Sequence, residues 1–382
     1  MKRNLLTILA VSVFAFTSCD DKDPILDQGE ELTELSGSIT ADATLKGSAI
    51  PLKDATIVRA GATLTIPAGT TITAANSTAY LLVERGAKII AKGTATQPIK
   101  FTSTTKSSGG WGGLVINGYA PLSRANQSDE SVFGTEINAQ VLYGGDKVDD
   151  NSGELDYIIL EYTGSNINED AEHNGLTLNG VGNKTKISNI YIKDGADDGI
   201  EFFGGSVNVT NLLVVNSEDD MFDFTQGYSG TLSNAYGVWT SAFSTNEKDP
   251  SGIEADGNHD GTNPSAYGQS DFTVKDVTIV HKATATGTAG TMSNILKIRR
   301  GAKATITNLL IEMGETSLFG GIIDLTDGKG NANAATTVTY TFKPASLFSD
   351  SKIINPVSAI LTRNDTQTGA NTAAFAWTGY FN

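Results

Sequence analysis

Between residues 174 and 314 the chain repeats one short phrase. An apolar run with a polar residue at its centre is followed, across a Gly-rich turn, by a second apolar run opening on Thr-Asn or Ser-Asn. The copies read Gly175-Leu-Thr-Leu then Ser188-Asn-Ile-Tyr-Ile, Gly199-Ile-Glu-Phe then Thr210-Asn-Leu-Leu-Val, and Met221-Phe-Asp-Phe then Ser233-Asn-Ala-Tyr. Two further copies are Gly252-Ile-Glu-Ala then Lys275-Asp-Val-Thr-Ile, and Ile295-Leu-Lys-Ile then Thr307-Asn-Leu-Leu-Ile. The closing Asn or Asp falls at 189, 211, 234, 276 and 308, so steps of 22 and 23 dominate and the longer steps leave room for loops. Repetition at this period marks a solenoid, whose units bury their apolar sides only by stacking. Apolar and polar residues alternate with period two, so the units are strands and the stack is an all-β parallel β-helix.

The same strand pattern starts near residue 37, in Ala55-Thr-Ile-Val, Ala62-Thr-Leu-Thr-Ile, Tyr80-Leu-Leu-Val and Trp111-Gly-Gly-Leu-Val-Ile. At some 22 to 25 residues per turn, residues 37–339 supply about ten coils and, at ~4.8 Å per strand, a rod roughly 50 Å long. Two polar stretches interrupt the ribbon, residues 119–153 and 240–271. Long excursions from a rigid scaffold suit ligand contact or inert decoration equally. The repeat fades over residues 340–382, and an open solenoid end needs covering, so this stretch is expected to be a C-terminal cap.

The N-terminus carries Lys2 and Arg3, an apolar stretch from Leu5 to Phe16, and Thr17-Ser18 before Cys19, which is the pattern of a secretory signal peptide over residues 1–18. Phe16-Thr-Ser-Cys19 resembles a bacterial lipobox, which implies lipidation of Cys19 and attachment to a membrane; two or more acyl chains hold stably where one binds marginally. Residues 19–36 are acidic and unpatterned, a tether. Asp20-Asp-Lys-Asp23 is similar to the signal for display on the outer face of the outer membrane in lipoproteins of Bacteroidota type. Without the leader the chain holds 25 basic and 43 acidic residues, a net charge of −18. That balance argues against nucleic acid, whose affinity comes from Lys and Arg meeting phosphates, and suits divalent cations.

The phrases LVERGAKIIAKGTATQPIKFTS, GWGGLVINGYAP, ADDGIEFFGGSVN, DDMFDFTQGYSG and LKIRRGAKATITN resemble the right-handed parallel β-helix surface lipoproteins of Bacteroidota type, a branch of the broad pectate-lyase-like superfamily. The resemblance covers nearly all of residues 40–340. It implies fold and location more directly than activity.

Aligning the copies stacks equivalent side chains on neighbouring coils. One outward column is Thr177, Glu201, Asp223, Glu254 and Lys297; beside it run Asn174, Asp198, Asp220, Ser251 and Asn294, with Asp197 and Asp219, and on the other side Asn179, Phe203, Thr225, Asp256 and Arg299, with Arg300 next. Carboxylates on successive coils sit about 5 Å apart, which raises their pKa values unless a cation intervenes.

Three uses of this patch remain open. Glu201, Asp223, Glu254, Asp256, Lys297 and Arg299 form a surface for a glycan or a protein of an outer-membrane uptake complex such as a TonB-dependent receptor. Glu201, Asp219, Asp220, Asp223 and Glu254 offer oxygen ligands to Ca²⁺. Asp220 and Asp223, with Lys297, supply acid–base groups for a polysaccharide lyase or glycoside hydrolase acting on acidic polysaccharide. Asp219-Asp220, His259 and Lys297-Ile-Arg299 are similar to pieces of the polygalacturonase site, with the Gly-His-Gly piece broken and the last reversed. A fourth account is a solvated face of paired acids and bases. The favoured use is non-catalytic binding at the cell surface, with the enzyme as the alternative.

The Asn column is expected to form a structural ladder. Tyr191, Leu213, Tyr236 and Leu310 should point outward as a stripe, either stacked by a sugar or covered by a loop or the C-terminal segment. His173 and His281 have no motif partners and are expected at the surface or in loops.

Overall fold

The computed structural model describes residues 29–168, 171–261 and 266–381. The residues expected to form a signal peptide, and Cys19, lie outside the described residues, as do most of those expected to form a tether. Twenty-five strands form one continuous sheet wound on itself as a parallel β-helix, and two short antiparallel hairpins, Phe133–Thr135 with Asn138–Tyr143 and Asn166–Asn168 with Ala171–Glu172, stand off it. Every pairing within the large sheet is parallel, as the 22-residue repeat requires.

One column passes through eleven strands, from Leu35–Ile39 to Ile353–Ile354. Its neighbour begins at Glu30–Leu32, inside the stretch assigned to the tether, and ends at Ile360–Arg363, inside the stretch assigned to the cap. The ribbon therefore exceeds the ten coils and the 37–339 limits drawn from the repeat. Both ends use strands too short or too polar to repeat the phrase. No helix among the described residues is long and apolar enough to cross a membrane.

Five of the long strands bend at an Asn or Asp that takes positive φ. Asn189, Asn211, Asn234, Asp276 and Asn308 hold φ between 54° and 60°, a left-handed conformation that Asn and Asp tolerate better than other non-glycine residues. The bend is held laterally as well: the Asn211 amide donates to Asn189 Oδ1 at 2.9 Å, Asn234 to Asn211 at 2.7 Å, and Asn308 to Asp276 at 2.7 Å. Inward side chains such as Phe202, Phe224, Tyr228 and Phe272 stack from coil to coil in a fully buried core.

The segment after Arg363 does not lie over the end of the rod. It returns along the flank as a strap. Thr368 and Gly369 donate backbone N–H groups to Asn308 Oδ1, at 2.7 and 3.1 Å, Asn371 does the same to Asn234 at 2.6 Å, and Trp377 meets Tyr157 edge-on at 5.3 Å. A side chain on Gly369 would strike Thr278 Oγ1, so the close approach needs glycine. Phe375 is fully buried against Ile159, Tyr191, Leu213 and Tyr236, which settles the outward stripe as a covered one. Phe375→Ala should cost about 3 kcal/mol of strap docking. Limited proteolysis should then clip beyond residue 364 while the β-sheet circular dichroism stays unchanged.

Candidate functional site

The strand repeat places Glu201, Asp223 and Glu254 side by side, because Glu201 pairs with Asp223, Asp223 with Glu254, and Glu254 with Lys297 on consecutive coils. Thr177 precedes them and Asp324 follows Lys297. The residues flanking each acid face the core, as in Ile200 and Phe202 around Glu201, so the acids necessarily face out.

Outward does not mean exposed here. The hairpin Phe133–Tyr143 of the first excursion folds over the acid column, and the second excursion joins it through a backbone bridge between Arg124 and Tyr267. Between cover and column lies a cleft of about 680 Å³. Its walls take Asp197, Asp198, Asp219 and Asp220 from the turns, Glu201, Asp223, Glu254 and Asp256 from the strands, Glu136 and Glu247 from the two excursions, and Glu172 from the small hairpin. His259 also lines it, together with Arg299 and Arg300. Glu136, Glu172 and Glu247 escaped the repeat analysis because they belong to no repeat. For Glu247 the signal was positional: the second excursion leaves from the coil that carries Asp223 and surrounds the strand that carries Glu254.

The turn aspartates have structural work as well. Asp198 Oδ1 accepts the N–H of Asp220 at 2.8 Å, and Asp220 Oδ1 accepts the N–H of Ser251 at 2.5 Å, so each ties its turn to the next coil. Asn174 gives its amide to Glu201 Oε2 at 2.6 Å. Asp223 Oδ1 is buried without a hydrogen-bond partner.

At one end of the row the charge is balanced: Arg299 donates to Glu254 and, at 2.8 Å, to Asp256 Oδ1, while Arg300 reaches Asp256 Oδ2 at 2.5 Å and Asp327 at 3.2 Å. Lys297 is turned elsewhere. Its ammonium sits 2.6 Å from Asp324 Oδ2, one coil further on, and it does not line the cleft, which separates it from the acids it was grouped with.

The remaining acids are crowded and poorly hydrated. Burial first, then the neighbouring Asp256, pushes Asp223 up to about 7, even though a hydrogen bond with Glu201 and the charge of Arg299 pull the other way. Burial and then Asp249 and Glu247 raise Asp219 to about 8. Burial, followed by Asp223 and Asp198, holds Glu201 well above the usual carboxylate range, and burial followed by Asp219 and Glu254 does the same to Asp220. Glu254 is also raised by burial, with Arg299 opposing.

Three sets bring one oxygen from each member within 4.8 Å of the others: Asp197, Asp198 and Asp219; Asp198, Glu201 and Asp223; and Asp220, Asp223 and Glu254. Such sets could supply part of the shell of an ion such as Ca²⁺, which takes six to eight oxygens in loose geometry.

The histidines divide differently from expectation. His173 is buried against Tyr80, and burial lowers it to about 4; His281 is a fully buried strand residue whose Nε2 meets Leu318 O at 2.8 Å. His173 is a loop residue just after the strand Ala171–Glu172, as expected, but a buried one, whereas His281 ends the strand Asp271–His281 and is neither at the surface nor in a loop.

These features define a parallel β-helix with a carboxylate-lined cleft on one face. The chain belongs to the pectate-lyase-like beta-helix domain family, whose sequence model matches residues 37–380. Searches of curated proteins and of solved structures gave no match.

Proposed function

We propose that the chain is a cell-surface binding protein, anchored in the outer membrane through Cys19, whose acidic cleft takes up Ca²⁺ and through it an oxygen-rich glycan. The observation that carries the reading is the gathering of Asp198, Glu201, Asp220, Asp223 and Glu254 into overlapping sets of ligand oxygens under a hairpin cover. So many buried carboxylates repel one another and any anionic polymer, and a divalent cation relieves both. Uptake by a TonB-dependent receptor gives the captured glycan a destination and the surface anchor a purpose.

Calorimetric titration of the full chain with Ca²⁺ should show saturable binding that Asp223→Asn abolishes, and glycan capture should disappear in chelator. Heats no larger than dilution at pH 8 would remove the proposal.

One observation favours hydrolysis as a second reading: Asp220 and Asp223 bring carboxyl oxygens within 4.8 Å of each other, and burial raises both, Asp223 to about 7. In that reading Asp220 and Asp223 carry the chemistry without Lys297, whose ammonium Asp324 occupies. Release of reducing ends from polyuronates by the cation-free protein, lost in Asp223→Asn, would favour it over binding.

A further inference from the structure

We infer that Phe133 is a stacking platform for one sugar ring, so that the hairpin over the cleft selects the glycan while the acid column holds the cation. The inference rests on the binding function proposed above and assigns it a residue outside the acid column.

Phe133 lines the cleft yet is 42% exposed. Its ring is nonetheless supported. His259, from the other excursion, meets it edge-on with centroids 4.6 Å apart at 61°, and Tyr143 does so at 6.2 Å and 60°. Tyr143 is itself buried, bonded from its hydroxyl to Gln226 Oε1 at 2.5 Å and packed edge-on against Phe203 on the acid-bearing sheet. The next residue, Gly134, lies so close to the opposite arm of the hairpin that a Cβ would sit 2.4 Å from Ala139 O, which fixes the backbone that presents the ring. The chain of contacts runs from the sheet through Phe203 and Tyr143 to Phe133, and leaves an aromatic surface open at a cleft walled mainly by acids.

A lone apolar ring in such a place is unfavourable in water and becomes useful when a flat C–H surface lies on it. The opposite wall asks for something different, since a hard cation there completes its shell with oxygens. A pyranose meets both demands in one molecule: its axial C–H face lies on the aromatic ring and its hydroxyl or carboxylate oxygens reach the metal. An extended peptide offers the first without a dense set of oxygens for the second.

The test uses the full chain loaded with Ca²⁺, titrated with tetramannuronate and with mannotetraose, alongside Phe133→Ala, Phe133→Leu and Phe133→Trp. Sugar affinity should fall about tenfold in the Ala and Leu variants and persist in the Trp variant, with Ca²⁺ affinity within twofold throughout. The Leu variant keeps apolar bulk in the hairpin, so its loss isolates the ring. Sugar affinity unchanged in Phe133→Ala, sugar and Ca²⁺ affinity falling together, or no saturable binding of either tetrasaccharide would each overturn the inference. Phe133-dependent sugar binding without Ca²⁺ binding would instead strike the cation reading alone.

Discussion

In cation-free buffer the folded chain is expected to lose stability as the pH rises from 4 to 8, opposite to the behaviour of most proteins over this range. Asp223 and Asp219 sit at about 7 and about 8 in the folded state because burial and neighbouring acids disfavour their charge, whereas the unfolded chain ionises them near 4. Between those limits the folded state binds more protons than the unfolded state, so stability falls with rising pH and levels off above the raised values. A single carboxyl shifted from near 4 to about 7 contributes on the order of 4 kcal/mol over the whole window, and several acids in the cleft share the direction. Ca²⁺ requires the ionised form, so it should bind better as pH rises and restore most of the lost stability at pH 8. Thermal unfolding at pH 5 and pH 8, with chelator and with excess Ca²⁺, reads both effects. Equal melting temperatures at the two pH values in chelator would refute the crowding argument. Glu201→Gln with Asp223→Asn should stabilise the cation-free protein at pH 8 and remove its response to Ca²⁺.

Replacing Arg299 should have the opposite sign and comparable size. Its guanidinium lies between Glu254 and Asp256, all three side chains are at least 86% buried, and both carboxylates bond to it. Arg299→Met leaves two carboxylates in a poorly hydrated place with only Arg300 still on Asp256, and removing one partner of a buried pair costs about 3–5 kcal/mol. Arg299→Lys should recover little, because an ammonium cannot span two acids with the planar fork that Arg supplies. Urea unfolding at pH 8 in chelator measures the loss. A change under about 1 kcal/mol would show that Arg300 alone balances this end of the row. Excess Ca²⁺ should rescue Arg299→Met in part, if the proposed cation site is real, since the freed Glu254 has an oxygen within 4.8 Å of those of Asp220 and Asp223.

How much of this was legible in the sequence follows from what a repeat encodes. Period and alternation specify which residues become lateral neighbours, so the 201, 223, 254, 297 register and the Asn ladder at 189, 211, 234 and 308 could be set out before any coordinates. A repeat says nothing about what lies across it. The hairpin bearing Phe133 and Glu136, Glu247 from the second excursion, and the strap bearing Phe375 have no period, and their positions depend on contacts between residues far apart in the chain. Lys297 was assigned by column alone, whereas its ammonium answers to Asp324, in a strand that departs from the phrase. His173 and His281 look unpartnered in the sequence because the residues that bury them, Tyr80 for the first and Trp239 and Leu318 for the second, lie far away in the chain.

The flank strap has a mechanical consequence. In a solenoid each turn touches only the next, so the ends fray and the middle can open at any rung. A single segment fastened at Asn308, Asn234 and Tyr157 bridges the rungs between them. Those rungs carry Glu201, Asp223 and Glu254, whose mutual repulsion would be eased by letting the turns part. Clamped from the side, they are held against drifting apart to escape it, and the acids of the cleft stay crowded.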